Sequence, residues 1–520
     1  MTSRSSVSGD DPSAEDYPPR RHYPLLIGLV CIVWFSTLAK GGHDLWAVTA
    51  LCGWLSMLIL TFLRHQQRFR QAVIFPFFAH VSWIGMAFLV SSRFSMDVNT
   101  TRLELTSLFC IAAFYFLLVN QSRDELARQS FILYSSSSVF VVVLIALVQY
   151  IRNLIREGYQ FQLSISHIIH SHWTAPSTFT NSAILAGFSL SWALIAWHFR
   201  SRRPFYRWLF FGCLAILFFA RSWWAFVSLG VGFTYYYSAQ AKNAQFPHKT
   251  VPKLVGLLTA GILLSTLFFK FGPLRNPQYL PDNRWGWWIA GIRMFLEHPL
   301  VGVGLGSYAT AFPFFKIPQI QSTLFAHSFI VQLISETGLV GFLSITFFAA
   351  TYRQRTPSGK AASMECTAYQ AALLTILCFS FMTIYLDYFI GKLMVCVIAS
   401  LSLSSMKWKE QVITTRTLGF AASIILFLFP SWYLPFRASQ WNTAGLLYDE
   451  KGSWELAESS YQRALSLNPY EDGSCRGLAR LYRRRYEQSR SVLDLSTSLM
   501  WGREALQLKP TPLSYHEKTN

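Results

Sequence analysis

The chain has 520 residues, of which 52% are hydrophobic, 16% aromatic and only 14% charged. Soluble globular domains carry about 25% charged residues, so a soluble enzyme, a disordered tail and a coiled coil are all excluded. Apolar blocks of seventeen or more residues instead indicate a polytopic membrane protein. The formal charge of +19 would suit nucleic acid, anionic lipid or an acidic substrate, and the placement of the charges decides among these.

The first 22 residues are polar. They lack a basic stretch leading into a short apolar core with a small-residue cleavage site, so the first span is expected to stay as an anchor. Candidate spans lie at about 23–39, 45–63, 72–92, 103–119, 130–150, 179–198, 207–220, 222–238, 253–270, 327–350, 366–387, 390–406 and 416–435. The seventh and eighth are separated only around Arg221, and the eleventh and twelfth share a tight link at Asp387 and Tyr388. The expected fold class is all-α, a transmembrane helical bundle of 12 or 13 spans.

Orientation follows from the bias of Lys and Arg toward cytoplasmic loops. With the N-terminus inside, that side receives Arg20 and Arg21, Arg64 to Arg70, Arg123 and Arg128, Arg200 to Arg207, Lys242 to Lys253, Arg353 to Lys360, and Lys407 to Arg416. The opposite short loops are poor in basic residues. Most of the surplus charge therefore reports topology, and with no accompanying binding motif nucleic acid is not an expected partner. Seven of the eight cysteines lie in apolar blocks and no CxxC occurs, so they read as small buried hydrophobes.

Two outward loops are long, at about 151–178 and 271–326. An odd number of spans also places the chain after 436 outside. There Trp441, Gly445, Tyr448, Gly452, Ala457, Tyr461, Ala464 and Pro469 follow the tetratricopeptide spacing, a helix-turn-helix repeat that binds proteins or packs as a cap. A degenerate second copy follows, with 503–510 echoing 463–469. The expected organisation is a polar cytoplasmic N-terminus at 1–22, a transmembrane domain at 23–436 with its large loop at 271–326, and a tetratricopeptide-like domain at 437–520.

Ionisable groups at or inside a membrane are functional candidates. Arg221, between two apolar runs, either snorkels beside its tryptophans or grips an anionic lipid-linked group. Arg284 opens an apolar segment of helical spacing that ends at Glu297-His298-Pro299 and Gly302-Val303-Gly304-Leu305-Gly306. These glycines permit tight turns close to a ligand or to another segment, and with no preceding strand a dinucleotide site is not expected. His327 stands where the long loop re-enters the membrane, followed by Glu336, Gly338 and Gly341. A histidine there serves as a general base or as an interfacial cap. His167, His170 and His172 lack the further ligand that a metal site needs, and an interfacial segment is the simpler reading.

Together these motifs resemble the O-antigen ligase and O-antigen polymerase family. The match runs through Asn283-Arg284-Trp285, His298-Pro299-Leu300, the glycine run with Ser307-Tyr308, His327-Ser328, and Glu336 with Gly338 and Gly341. Upstream, Ser177-Thr178-Phe179-Thr180-Asn181 is similar to the family's Gly-Thr-Phe-x-Asn segment, and Arg221 falls at its Ser-Arg pair with Ala220 in place of the serine. The resemblance covers about 170–405.

The resemblance implies glycan transfer on the periplasmic face of a bacterial inner membrane. The donor would be an undecaprenyl-diphosphate-linked glycan, and the acceptor a hydroxyl of lipid A core, of another glycan or of a protein. It assigns Arg221 and Arg284 to the diphosphate and His327 to catalysis at the acceptor. Asn181, Gly304 and Glu336 would support the site, and neither a metal nor another cofactor is expected. Paired guanidinium groups stay charged and bind a diphosphate in bidentate fashion, which fits. The C-terminal domain would offer a surface for a protein partner. A transporter of a lipid-linked glycan or anion is the rival reading, but the chain lacks a second copy of its glycine-rich segment, as repeat-built transporters would have. A non-catalytic scaffold leaves the two arginines and the histidine unexplained.

Overall fold

The computed structural model describes residues 23–40, 44–64, 71–72, 95–161, 178–179, 181–220, 222–242, 283–318, 320–355, 363–404, 411–412 and 415–510. The expected span at 253–270, nearly all of that at 72–92, Arg221 and the three histidines at 167–172 lie outside them. Among the described residues the elements are helical apart from one short antiparallel pair, β1 (Gln71–Ala72) with β2 (Gln411–Val412).

The chain opens with α1 (Tyr23–Leu38), α2 (Leu45–Arg64) and α3 (Val98–Gln121). The stretch expected as one span at 130–150 is covered by α4 (Glu125–Ser136) and α5 (Ser138–Phe161), joined at Ser137, whose backbone stays in the right-handed helical region at φ −62° and ψ −20°. At this join Ser136, Ser137 and Ser138 donate their hydroxyls to the carbonyls of Leu133, Tyr134 and Ser135 at 3.2, 2.7 and 2.6 Å.

Next come α6 (Ser182–Phe199), α7 (Pro204–Phe219) and α8 (Trp223–Lys242). The loop region holds α9 (Arg284–Glu297) and α10 (Tyr308–Phe315), and α11 (Phe329–Arg355), α12 (Met364–Ser380) and α13 (Phe389–Ser404) follow. Among the described residues five stretches are long and apolar enough to cross a bilayer: Leu45–Phe62, Val98–Gln121, Glu125–Arg152, Ser182–Phe199 and Phe329–Tyr352. Shorter apolar helices accompany them, so this is a multi-pass membrane protein.

The core centres on α6, buried along most of its length and packed on α7, α8, α12 and α13. Small residues bring the helices together, as expected where lipid supplies no hydrophobic drive between them. A side chain at Gly187 would overlap the ring of Tyr385, whose hydroxyl meets Ser191 Oγ at 3.0 Å. Two charge pairs lie in this core among the described residues. Arg128 Nε donates to Glu365 at 2.9 Å, and Lys392 Nζ meets Glu104 at 2.6 Å. Unpaired, such groups would carry a desolvation cost of several kcal/mol.

The last helix of the membrane domain does not stop at 435. Helix α14 runs Thr415–Glu450 through Pro430 and Pro435, so one rod carries the chain out of the bundle. It continues into α15 (Trp454–Leu467), α16 (Asp472–Ser489) and α17 (Val492–Leu508). Ala457, Tyr461, Leu478 and Leu481 form a small core there, with Tyr448 and Trp501 against it. Gly445 and Gly477 both pack on the Tyr461 ring, where a side chain would collide.

This C-terminal unit rests on the start of α3. Asn468 Nδ2 donates to Asn99 Oδ1 at 3.0 Å, Lys509 Nζ meets Asp97 Oδ2 at 3.2 Å, and the Arg102 guanidinium lies 4.9 Å from the Tyr470 ring centre. Beside them Glu471 is half-buried. Burial, with Asp472 and Asp97 adding to it, pushes its carboxyl up to about 7 against the opposing effects of Asn468 and Lys509. The docked state therefore holds more protons than an undocked one between the ordinary value of 4.5 and about 7, and docking weakens as pH rises through that window. Hydrogen exchange across residues 468–472 should accordingly be slower at pH 5 than at pH 8, after correction for intrinsic rates. Glu471→Gln should remove the difference, and an unchanged pH dependence in that variant would refute the assignment.

Candidate active site

The site forms where the long loop returns to the bundle. Helix α9 buries Gly286, Ala290, Gly291 and Met294, a flat face of helical spacing, and packs on α11. A side chain at Gly291 would come to 2.5 Å from Val331 Cγ1. The opposite face leaves Trp285 70%, Ile292 44% and Leu296 69% exposed, an apolar stripe suited to acyl chains rather than water.

After α9 the chain turns back along α11. The backbone N–H groups of Val303 and Gly304 donate to the carbonyls of Ser335 and Glu336 at 2.9 Å each. In return, those of Leu339 and Val340 donate to the carbonyls of Pro299 and Leu300 at 2.9 and 3.1 Å. Helix α11 can accept this only because it is interrupted at Gly338, with φ 60° and ψ −159°. The kink frees backbone groups of the helix, and the loop satisfies them. Glu336 and Gly341 were expected on one uninterrupted helix; the interruption arises because this backbone conformation is open only to glycine. Gly302, at φ 67°, lies so close that a side chain would overlap the Glu336 carbonyl. The glycine run thus serves approach to another segment. Gly304 is buried within that contact, against Ser95.

Glu336 is buried at the centre. Its Oε1 accepts from the backbone N–H of Tyr308 at 3.1 Å and from Gln332 Nε2 at 2.7 Å, and the Gly306 backbone bonds to the same carboxyl group. Gln332 Oε1 in turn accepts from the backbone N–H of Ala326 at 2.6 Å. The next residue is His327, held at φ 56°. A non-glycine residue in the left-handed region is uncommon and persists only where its surroundings over-determine it. Here they include the Trp287 ring, stacked on the imidazole at 4.5 Å between centroids and 26° between planes. Trp287 is itself fixed, its Nε1 donating to the Gln321 carbonyl at 2.9 Å and its own carbonyl accepting from Tyr308 Oη at 2.6 Å.

Arg284 begins α9 one turn before Trp287, on the side of the helix that carries the ring stacked on His327. At a helix N-terminus its charge adds to the positive end of the backbone dipole. Asn181 is the N-cap of α6, its Oδ1 accepting from Ala183 N at 2.8 Å. Arg221 lies outside the described residues, although Ala220 and Ser222 on either side of it place the α7–α8 junction.

A second polar group beside this framework was missed in the sequence. The Lys392–Glu104 pair at 2.6 Å lies within electrostatic range of Asp387 and Glu336, and Asp387 Oδ2 is buried with no hydrogen-bond partner among the described residues. Tyr388 places this link near the loop through Phe325, 5.6 Å away between ring centres. The available signal was Lys392 in the otherwise apolar Phe-Ile-Gly-Lys-Leu-Met-Val run. A lone lysine in a span implies a buried acidic partner, but nothing in the sequence says which.

Residues 168–346 match the family model described as O-antigen ligase. The matched stretch contains Asn181, Arg221, Arg284, the glycine run, His327 and Glu336. No curated protein matches the chain. The O-antigen ligase match supports a membrane glycan ligase or polymerase, acting on glycan and lipid-linked substrates. It takes in Trp287, Tyr308, Gln332 and Glu336 around His327, while Asp97, Asp387, Lys392 and the C-terminal helices lie beyond it.

Proposed function

We propose that the protein transfers a glycan from a polyprenyl diphosphate carrier to an acceptor hydroxyl at the periplasmic face of a bacterial inner membrane, with Arg284 and Arg221 on the diphosphate and His327 on the acceptor. The observation that carries this reading is the fixed His327 imidazole, strained and stacked on Trp287 at 4.5 Å, one helical turn from Arg284.

The chemistry is a single displacement. The acceptor oxygen attacks the anomeric carbon and its proton passes to His327. The bond from that carbon to the diphosphate oxygen breaks, and the leaving lipid diphosphate keeps the electron pair. Inversion at the sugar follows. Charge accumulates on the diphosphate as the bond breaks, and preorganised guanidinium groups stabilise it without waiting for solvent to reorganise. The apolar stripe of Trp285, Ile292 and Leu296 suits a carrier lipid lying along α9. The tetratricopeptide-like C-terminal helices would offer a protein-binding surface outside the membrane, which favours a polymerase or protein acceptor over a plain lipid A ligase.

Full-length protein in lipid nanodiscs, given a polyprenyl-diphosphate-linked oligosaccharide and candidate acceptors, tests the reading. Arg284→Ala should lower turnover roughly 10²–10³-fold, the range for removing one preorganised donor. Arg284→Lys should fall between, because lysine keeps the charge and loses the bidentate fork. Full transfer by Arg284→Ala would remove the diphosphate from this site.

A further inference from the structure

The C-terminal helices touch the membrane domain at one residue that also belongs to the site's framework. Asp97 Oδ1 caps α3 by accepting from Thr100 N at 3.0 Å. Its Oδ2 accepts from Thr310 Oγ1 of α10 at 3.0 Å and meets Lys509 Nζ, just past the end of α17, at 3.2 Å. The neighbouring contacts tie the same segment to the glycine run. Met96 N donates to the Val303 carbonyl at 2.9 Å, Ser95 Oγ meets Ser307 Oγ at 2.9 Å, and Thr101 Oγ1 donates to the Leu305 carbonyl at 2.6 Å. From α10 the line continues through Tyr308 N to Glu336, through Gln332 to Ala326, and so to His327. Tyr308 Oη reaches the same place by its bond to Trp287.

We infer that Asp97 and Lys509 are positioning residues for the transfer reaction, and that the C-terminal helices form a working part of the site by holding Asp97 against α10. This rests on the proposed role of His327. The physical basis is that Asp97 is nearly buried, with 9% of its side chain exposed, while Lys509 is 39% exposed. A buried carboxylate whose other partners among the described residues are a neutral hydroxyl and one backbone N–H needs a cation to offset its desolvation. Lys509 supplies that cation from 412 positions further along the chain (509 − 97). Without it, Asp97 is drawn toward water and away from Thr310, and α10 loses one of its tethers to the α3 segment.

The test uses the full chain in nanodiscs with Lys509→Met, which keeps the aliphatic stem and removes the charge. Hydrogen exchange is read at the amides of Val303, Gly304 and Tyr308, the donors that join the loop to α11 and Glu336. Exchange there should quicken about fivefold or more, as for loss of a local stabilising contact. Turnover should fall by about the same factor with the donor KM within about twofold, as for lost positioning rather than lost binding, and Lys509→Arg should restore both. Asn468→Ala, which removes the Asn468 Nδ2 to Asn99 Oδ1 bond of 3.0 Å and leaves the Lys509 charge in place, should keep exchange at the three amides within about twofold of the native chain. Unchanged exchange at the three amides in Lys509→Met, or equal loosening in Asn468→Ala, overturns the inference. Absence of glycan transfer by the wild-type chain would instead defeat the proposed function, and the exchange measurement would still judge the tether.

Discussion

His327→Ala is expected to lower glycan transfer about 10³-fold, within the range for a positioned general base, with little change in the donor KM. Alanine alone is an ambiguous probe, because it removes the imidazole and also alters a backbone held at φ 56°. Asparagine tolerates the left-handed region several-fold better than most residues and has no basic nitrogen. His327→Asn should therefore keep the loop in place and be as inactive as His327→Ala. The check is steady-state transfer in both variants, with thermal unfolding in detergent to show that neither is grossly destabilised. Substantial turnover in His327→Asn would mean that the imidazole takes no proton and that its ring serves only to pack on Trp287, 4.5 Å away.

Gly338→Ala carries the second large effect, and there the cause is mechanical. Strain at this backbone conformation costs on the order of 1–3 kcal/mol for any other residue. A Cβ would in addition overlap the Leu300 carbonyl, forcing apart the two segments joined by the Leu339 to Pro299 and Val340 to Leu300 bonds of 2.9 and 3.1 Å. Glu336 lies two residues away and anchors Tyr308 and Gln332, so the displacement reaches His327. A shift of about 1 Å at a reacting group can cost about 10²-fold in rate. Turnover should drop by that order, and exchange should quicken at Leu339 and Val340 while α6 stays protected. Normal turnover in Gly338→Ala would show that the kink is incidental to the site.

The residues proposed for the site stand out in the chain, and their connections do not. Glycines at 302, 304 and 306 announce close approach, but a ligand and a second backbone ask the same thing of a glycine. Only folding shows that the neighbour is the Ser335–Glu336 backbone. Glu336 reads in the sequence as one carboxylate on a helix; in the fold it joins α10, Gln332 and the backbone before His327. Asn181, expected to support the site, is accounted for by its capping of α6, a role that asparagine before an apolar helix could equally have signalled. Lys392 needed a partner from 288 positions away, and Asp97 one from 412 positions away (509 − 97). No local pattern encodes separations of that length.

What the sequence by itself determined is the membrane class and most of the helices. Hydrophobic length and the loss of charge are local properties, and in lipid a long apolar stretch must satisfy its backbone within itself, which makes it a helix. The break in α11 was decided elsewhere. Gly338 opens that helix because a distant loop supplies hydrogen-bond partners for the freed backbone. The tertiary structure alone decided that His327 stacks on Trp287, that Glu336 organises the returning loop, and that the last helices bear on Asp97. Each of these depends on groups brought together across the fold, where burial makes an unmatched polar atom costly and so selects the one arrangement in which the partners meet.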